Sequence, residues 1–302
     1  MPISNPHGQK IQALLANAKI PDTDLPQIES LNKMYDKWKS NILGLTGTSS
    51  QILKKAVALL NEYRNFIDIN LAYDSTENFL YRQKGQLKLD NSVIEEFLPL
   101  LASKYFKNNI TDPTLFLGPS TCFSSVRFDS SAINQSKLPG MSIKEKDQDF
   151  TLSRQVFLRS SHSEDFSNSD TQKSSIAYLA AECKTNLDKT MFQEAASTAF
   201  DLKTASPASK YLLLCEWLDM VPISSASTAI DEIIILRKAK RMPASLRQNF
   251  NDSKGRKKFR SAFVDYIQSN PFSEDSFERV MSHLNTILSN ASEDEVLRRG
   301  YF

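Results

Sequence analysis

The sequence predicts a mixed α/β fold in which a central sheet carries helical layers on its flanks. Two observations lead to this expectation. Apolar side chains recur at spacings of three and four near both ends of the chain, which is typical of amphipathic helices. Between them, short apolar runs separated by Gly, Pro and Ser favour strands. A series of strands with helices before and after it indicates an α/β core.

The chain has 302 residues, which is enough for one large domain with an appended unit or for two domains. The pattern divides it into three parts. Residues 1–112 are predicted to be helical, residues 113–240 to hold the sheet, and residues 241–302 to form a basic, helical C-terminal segment.

Helices are expected in the first hundred residues and again at the end of the chain. Apolar side chains from Leu53 to Ile67 share one helical face, and another helix is predicted from about Asn91 to Phe106. The C-terminal helices are predicted over about Arg256 to Gln268 and Glu274 to Leu288.

The middle of the chain carries the predicted strands, with one helix among them at about Asp188 to Lys203. Thr185 with Asp188 is expected to cap that helix. The apolar runs interpreted as strands are Thr114 to Leu117, Cys122 to Phe128, Phe150 to Leu158, Ser175 to Cys183, Tyr211 to Leu218 and Ile233 to Leu236.

Cysteine usage and hydropathy bear on the compartment. The three cysteines are too few and too odd in number for a disulfide framework, which favours a reducing environment. The opening residues lack a basic start followed by an apolar stretch, so no signal peptide is expected. Apolar runs such as Tyr211 to Cys215 are too short to cross a bilayer. The prediction is a cytoplasmic protein without membrane contact.

Positive charge is concentrated near the C-terminus, although the whole chain carries only +2. Between Arg237 and Arg260 there are ten Lys or Arg and one acid, Asp252. A solvated helical face is the simplest explanation of such a tract. A basic stretch on an otherwise acidic chain is also the expected footprint of a phosphate backbone.

The strand that ends in Glu182-Cys183-Lys184 is the most informative segment for chemistry. Because strand side chains alternate between faces, Glu182 and Lys184 point to one side and Cys183 to the other. Two charges on one face of an apolar strand are costly to desolvate unless they have partners or a metal. A plain ion pair at a strand end is the alternative. Metal-assisted phosphodiester hydrolysis would require a further carboxylate.

Asp149 is the first candidate for that carboxylate. It directly precedes an alternating run, so it can stand at the start of a strand that pairs with the Glu182 strand. Asp147 has the same parity and remains open as the alternative. Two carboxylates and a scissile phosphate suffice for Mg²⁺, which keeps several waters.

Other chemistries are disfavoured by the positions of His and Gly. His7, His162 and His283 are far apart in sequence and have no Cys or His at ligand spacing, which argues against zinc. The glycines do not fit a phosphate-binding loop of NTP-driven enzymes.

Asp149, then Glu182-x-Lys184 on a strand, then a helix, resembles the PD-(D/E)xK nuclease superfamily. More narrowly, the fifteen-residue run from Ala181 to Ala195 is similar to restriction endonucleases of the BbvCI and Bpu10I type. The proline that precedes the first acid in the superfamily pattern is replaced by Gln148, which leaves the choice between Asp149 and Asp147 open.

The resemblance implies a restriction-endonuclease-like sheet and a catalytic set of Asp149, Glu182 and Lys184. Asp149 and Glu182 would hold Mg²⁺, with the Cys183 carbonyl as a further ligand, and Lys184 would orient the attacking water. Gln193 could contact the water or the phosphate, although an ordinary helical glutamine explains it as well. Glu95 or Glu96 could add a carboxylate, but an exposed helical face explains both better.

The resemblance also implies double-stranded DNA as substrate and a second, related subunit, because one such site cleaves one strand. A heterodimer acting on an asymmetric CCTNAGC-like site is expected, with a homodimer left open. Residues 1–112 would serve recognition and subunit contacts, residues 113–240 would be the nuclease core, and the basic tract would contact phosphates. The tract residues assigned to DNA are Lys238, Lys240, Arg241, Lys254, Arg256, Lys257, Lys258 and Arg260.

Two alternatives stand beside the restriction-enzyme interpretation. The chain could be a repair or recombination nuclease of the same superfamily with little sequence specificity. It could instead be a non-catalytic DNA-binding or assembly protein in which Glu182 and Lys184 form a structural ion pair.

Overall fold

A five-stranded sheet lies at the centre of the computed structural model, with its strands in the order β1-β2-β3-β4-β5. The structure describes residues 4–107, 110, 112–129, 138–289, 294, 297–298 and 300. The pairs β1–β2 and β2–β3 are antiparallel, whereas the pairs β3–β4 and β4–β5 are parallel. The strands are β1 (Leu115–Phe128), β2 (Met141–Ser160), β3 (Asp170–Leu187), β4 (Lys210–Leu218) and β5 (Glu232–Lys240).

Helices precede the sheet, cross between two of its strands and follow it. The helices before the sheet are α1 (Pro6–Leu15), α2 (Leu25–Leu43), α3 (Ser49–Asn65), α4 (Phe79–Gln83) and α5 (Asn91–Tyr105), and a π-helical segment, Phe66–Tyr73, continues α3. The crossover between the parallel strands β3 and β4 is α6 (Lys189–Ala205). The helices after the sheet are α7 (Ala244–Arg247), α8 (Ser253–Lys258), α9 (Arg260–Ser269) and α10 (Glu274–Leu288).

Both faces of the parallel part of the sheet are buried, so this part lies between two helical layers. Along β4, Leu212 and Leu214 belong to a core shared with the N-terminal helices and α10. Tyr211, Leu213 and Cys215 alternate with them and belong to a second core against α6. This double burial explains why β4 has an almost continuous apolar sequence, as is typical of central parallel strands. The predicted mixed α/β class is confirmed.

Several element boundaries differ from the sequence-based expectation. The two runs before Phe128 form one strand with register shifts at Gly118/Ser120 and Phe123/Ser125. The charged stretch before Asp149 is part of β2, because it pairs with β1 rather than forming a turn. The predicted start of a strand at Asp149 is therefore wrong. Asp188, not Thr185, caps α6, because it accepts the Met191 N–H. The single helix predicted over about Arg256 to Gln268 is divided between two helices, α8 and α9.

Four charged side chains connect the N-terminal helices to the sheet and will be called the buried quartet. Arg64 of α3 lies 3.3 Å from Asp68 and 3.0 Å from Glu216 of β4. Arg237 of β5 lies 3.4 Å from each of the same two carboxylates. Two cations and two anions neutralise one another there, which is the condition under which buried charges are tolerated.

Two further observations concern the cysteines and the lengths of the helices. All three cysteines, Cys122, Cys183 and Cys215, are buried free thiols. In the described parts of the chain, the helices are all too short or too polar to cross a bilayer.

Candidate active site

Asp149 lies where β2 and β3 separate. The antiparallel pairing of these strands reaches Phe150 opposite Ala181, so that Asp149 comes next to Glu182. At this point the Asp149 carboxylate accepts the Cys183 N–H at 2.8 Å through Oδ2, in place of a backbone carbonyl. The side chain thus holds β2 against β3 where their backbone pairing ends, and Asp149 itself is half-buried.

Glu182 and Lys184 lie on the same face of β3 and contact each other. Lys184 Nζ is 2.7 Å from Glu182 Oε1, and the two side chains are 24% and 19% exposed. Water and ions can therefore reach both groups. The two side chains share one face, as the sequence predicted, but β3 continues to Leu187, so the predicted strand end at Lys184 is wrong. The two residues will be called the strand-end pair, because the pairing of β2 with β3 ends beside them.

Tyr211 is a site residue that the sequence analysis missed. Its hydroxyl donates a hydrogen bond of 2.7 Å to Glu182 Oε2 from the adjacent strand β4. The tyrosine is fully buried, so its hydroxyl is held in place by the core around it. In the sequence it is indistinguishable from the apolar residues of its strand, and only the parallel register of β3 and β4 reveals its position.

The protonation preferences of the site follow from burial and from crowded negative charge. Burial and the neighbouring Glu182 raise the pKa of Asp149, although the Cys183 N–H opposes this. Burial alone would lower the pKa of Lys184, but its hydrogen bond to Glu182 and the nearby carboxylates raise it. Lys184 therefore carries a positive charge at neutral pH. A bound cation would favour the ionised form of the carboxylates beside it.

Glu95 of α5 adds a further carboxyl group to this environment. Burial, and next the charge of Asp149, raise its pKa to about 7. Glu95 is half-buried rather than exposed. The expectation that Glu95 lies on an exposed helical face is therefore wrong, and it comes close enough to Asp149 for their charges to interact.

Glu96 is also misplaced by the exposed-face expectation, but it serves another purpose. It is fully buried and accepts hydrogen bonds from the His7 and Gly8 N–H groups, from Tyr35 and from Lys39. These contacts hold the start of α1 against α2 and α5. Glu96 is thus a structural residue of the helical layer.

Asp147 and Gln193 lie apart from this cluster. Asp147 is exposed and accepts a 2.6 Å hydrogen bond from Thr121 on the opposite neighbour strand, β1. Of the two acids left open by the sequence, the structure brings Asp149 to Glu182. Gln193 lies on the exposed face of α6, and no bond joins it to Glu182 or Lys184 in the described part of the chain.

The donor set at the strand end suits a hard divalent cation. Asp149, Glu182 and Glu95 supply only carboxylate oxygens, and Mg²⁺ typically uses one or two of these together with water and phosphate. Within the described ranges, no three His, Cys, Asp or Glu side chains converge closely enough to form an all-protein metal cage. A hard cation here would take its protein ligands from two of these carboxylates and its remaining ligands from water and phosphate.

Several residues of the basic tract form surface ion pairs with acids of the same chain. Lys238 contacts Asp275 at 2.5 Å, Arg241 contacts Asp219 at 2.7 Å, and Arg260 contacts Asp74 at 2.7 Å. Among the tract residues assigned to DNA, four are exposed and have no such acid partner in the described part of the chain: Lys240, Lys254, Lys257 and Lys258.

Arg256 does not fit the proposed DNA contact. It is only 2% exposed, and its guanidinium donates to the carbonyl oxygens of Tyr73, Ser75, Glu77 and Phe250. It therefore fixes the turn after the π-helical segment to α8. A phosphate could reach this group only if that packing were broken.

Comparisons with known proteins agree on the kind of molecule. A sequence model described as Bpu10I restriction endonuclease matches residues 86–302. A solved structure described as the native BbvCI A2B2 tetramer at low resolution is similar in fold. Its chain has 19% sequence identity and a TM-score of 0.56, with 87% of this chain and 95% of that chain covered. The search of curated proteins gave no match.

Proposed function

This chain belongs to the Bpu10I restriction endonuclease family, and from that premise we propose that it is the Mg²⁺-dependent nuclease subunit of a type II restriction enzyme. It would hydrolyse one DNA strand at a specific asymmetric site of the CCTNAGC kind. The observation that carries the proposal is the strand-end pair Glu182–Lys184, with Asp149 next to it across the sheet.

Each residue of the site has a role that its geometry supports. Asp149 and Glu182 would hold the magnesium ion, with the Cys183 carbonyl as a further ligand. Bound magnesium would supply Lewis acidity, which lowers the pKa of a coordinated water and polarises the phosphate. Lys184 would position the attacking water and neutralise the charge that develops on the phosphate. Tyr211 would keep Glu182 oriented through its hydrogen bond to Oε2.

Glu95 would act at the edge of the metal site. Its raised pKa reflects a buried carboxyl group close to Asp149, and a bound cation would favour its ionised form. We propose that its carboxylate would add negative charge at the edge of the site where Asp149 and Glu182 would hold the cation.

The substrate and partner follow from the family rather than from any contact in this chain. Double-strand cleavage by sites that each cut one strand requires two subunits. BbvCI is described as an A2B2 tetramer, and two different, related subunits would match an asymmetric recognition sequence. We propose a heterodimer with this chain as one half. Lys240, Lys254, Lys257 and Lys258 remain its proposed phosphate contacts.

Replacement of the lysine tests the catalytic proposal. Lys184→Ala should abolish plasmid cleavage in magnesium, supplied with whatever partner subunit wild type requires, while DNA binding is retained. Lys173→Ala is the matched control, because Lys173 is an exposed lysine near the start of the same strand. Continued cleavage by Lys184→Ala would show that the site is wrongly assigned.

The low-specificity nuclease remains the second candidate, and the pattern of products distinguishes it. Fragments resolved on a sequencing gel should end at one sequence in each strand for a restriction enzyme. A ladder of unrelated cuts would instead favour a repair or recombination nuclease.

A further inference from the structure

A cavity of about 500 Å³ lies beside the proposed active site, between the sheet, the π-helical segment and the C-terminal helices. It will be called the Arg64 cavity. Among the residues that line it are Arg64, Arg82, Lys84, Trp217, Arg241 and Arg247.

The Arg64 cavity lies close to the proposed catalytic lysine, Lys184. Thr185 and Asn186, which line it, directly follow Lys184 in β3. At a rise of about 3.3 Å per residue, the cavity wall begins within roughly 7 Å of the lysine along the strand. Trp217 near the end of β4 and Arg241 just after β5 complete this side. The cavity thus lies at the carboxyl ends of three parallel strands, where open α/β sheets bind their ligands.

The charge of the cavity favours an anion. Five cationic side chains and only two carboxylates, Asp68 and Asp90, line it. Arg64 and Asp68 are both neutralised within the buried quartet, and Arg241 is paired with Asp219. Asp90 accepts hydrogen bonds from the Asn91 N–H and from the Thr185 hydroxyl. In the part of the chain that the structure describes, no carboxylate pairs with Arg82, Lys84 or Arg247.

Arg64 provides an independent sign of a missing partner. Its Nη2 contacts Asp68 and Glu216, yet its buried Nε and Nη1 have no hydrogen-bond partner among the described residues. Its side chain is 2% exposed, so its orientation is fixed by the quartet behind it. Unmet buried donors are costly, and a polar or anionic ligand in the cavity would relieve them directly or through water.

We propose that the Arg64 cavity receives backbone phosphates of the DNA strand next to the cleaved bond. The inference rests on the proposed function, because it assumes that DNA lies across Lys184. Arg82 and Arg247 at the mouth would contact the phosphates, and Arg64 would offer its unpartnered Nε and Nη1 donors from below. A duplex is too wide to enter such a cavity, so one strand's backbone would dip into it.

Charge-matched double variants test this proposal, in a Lys184→Ala background that keeps the DNA intact. Arg82→Gln with Arg247→Gln removes two charges at the mouth. The control, Lys173→Gln with Lys210→Gln, removes two charges at the amino ends of β3 and β4, the opposite edge of the parallel strands. DNA affinity would be measured by fluorescence anisotropy over a series of salt concentrations.

The mouth variant should bind DNA about tenfold or more weakly than the control. Its slope of log affinity against log salt should fall by about 0.9 for each lost phosphate contact. Equal affinity and equal slope in the two double variants would overturn the cavity assignment. If wild type, with its partner subunit, leaves DNA uncut in magnesium, the proposed function fails instead, so the two failures are distinguishable.

Tryptophan fluorescence gives a second measurement that leaves the mouth unchanged. The chain has two tryptophans, and Trp38 lies in the N-terminal core, so Trp38→Phe leaves Trp217 in the cavity as the reporter. Uncleaved DNA should shift the Trp217 emission and protect it from acrylamide. A signal that stays unchanged at saturating DNA would contradict occupation of the cavity.

Discussion

Two charged clusters lie on neighbouring strands of one sheet, and they differ in how much water reaches them. In the strand-end pair, Lys184 and Glu182 are 24% and 19% exposed. In the buried quartet, Arg237 and Glu216 are 0% and 2% exposed. Both clusters place charges on strands that are otherwise apolar, so their local sequence patterns are alike.

The difference between them lies in charge balance and accessibility. The quartet combines two arginines with two acids and joins α3, the π-helical segment, β4 and β5. The strand-end pair has Asp149 and Glu95 near it, so its negative charge exceeds its positive charge. A closed and neutral cluster stabilises the fold, whereas an open and acidic one is suited to bind a cation and a substrate.

The largest expected effect is a loss of stability when the buried quartet loses one carboxylate. Glu216→Gln should lower the free energy of unfolding by about 3–5 kcal/mol, because it leaves two buried arginines with a single carboxylate. Urea denaturation measures this change. The molecules that remain folded should still cut DNA, and a variant as stable as wild type would show that the quartet contributes little.

The corresponding change in the strand-end pair should impair cleavage and leave stability nearly unchanged. Glu182→Gln is expected to reduce the single-turnover cleavage rate by about 10²–10³-fold, since it removes a charge that acts on the reaction. Its urea midpoint should stay close to that of wild type, because the side chain is partly solvated. A large loss of stability with normal cleavage would reverse the roles assigned to the two clusters.

Tyr211→Phe sharpens the comparison, because it removes a buried contact to the open cluster. Loss of a hydrogen bond to a carboxylate should lower the cleavage rate about tenfold, with DNA affinity unchanged. Tyr178→Phe on β3 is the control. If both variants cut at the wild-type rate, Tyr211 does not position Glu182.

The smallest expected effect is a pH dependence that arises from Glu95. Its pKa is raised from 4.5 to about 7, so the folded protein holds this proton over a range in which the unfolded chain has lost it. The contribution of Glu95 to the free energy of unfolding should therefore fall as pH rises from 4.5 to 7.

Glu95→Gln should flatten this part of the profile, with wild type and variant compared by urea denaturation at pH 5 and pH 8. Asp36→Asn, an exposed acid on α2, should leave the profile unchanged. If the free energy of unfolding depends on pH in the same way in wild type and Glu95→Gln, Glu95 does not have the raised pKa on which this prediction depends.

Much of the fold and part of the site could be read from local sequence. The periodicity of α3, α5 and α10 and the apolar run of β4 depend on short-range patterns, and the structure has elements at each of these places. The faces of Glu182 and Lys184 follow from strand alternation alone. The division into residues 1–112, 113–240 and 241–302 stays a prediction, although one hydrophobic core includes helices from the first and last of these ranges.

What the sequence determined by itself was therefore the order of helices and strands and the two charges on one strand face, because both follow from spacing along the chain. Only the tertiary structure decided which acids surround them. Asp149 reaches the site, and Asp147 does not. Tyr211 and Glu95 also reach it, because strand register and helix packing bring together residues that are distant in sequence. Burial made the same decision for the basic residues: Arg256 is enclosed by backbone carbonyls, while nearby Lys254 remains exposed. The charge of each side chain follows from the sequence alone, but its exposure to solvent depends on the residues packed around it in the fold.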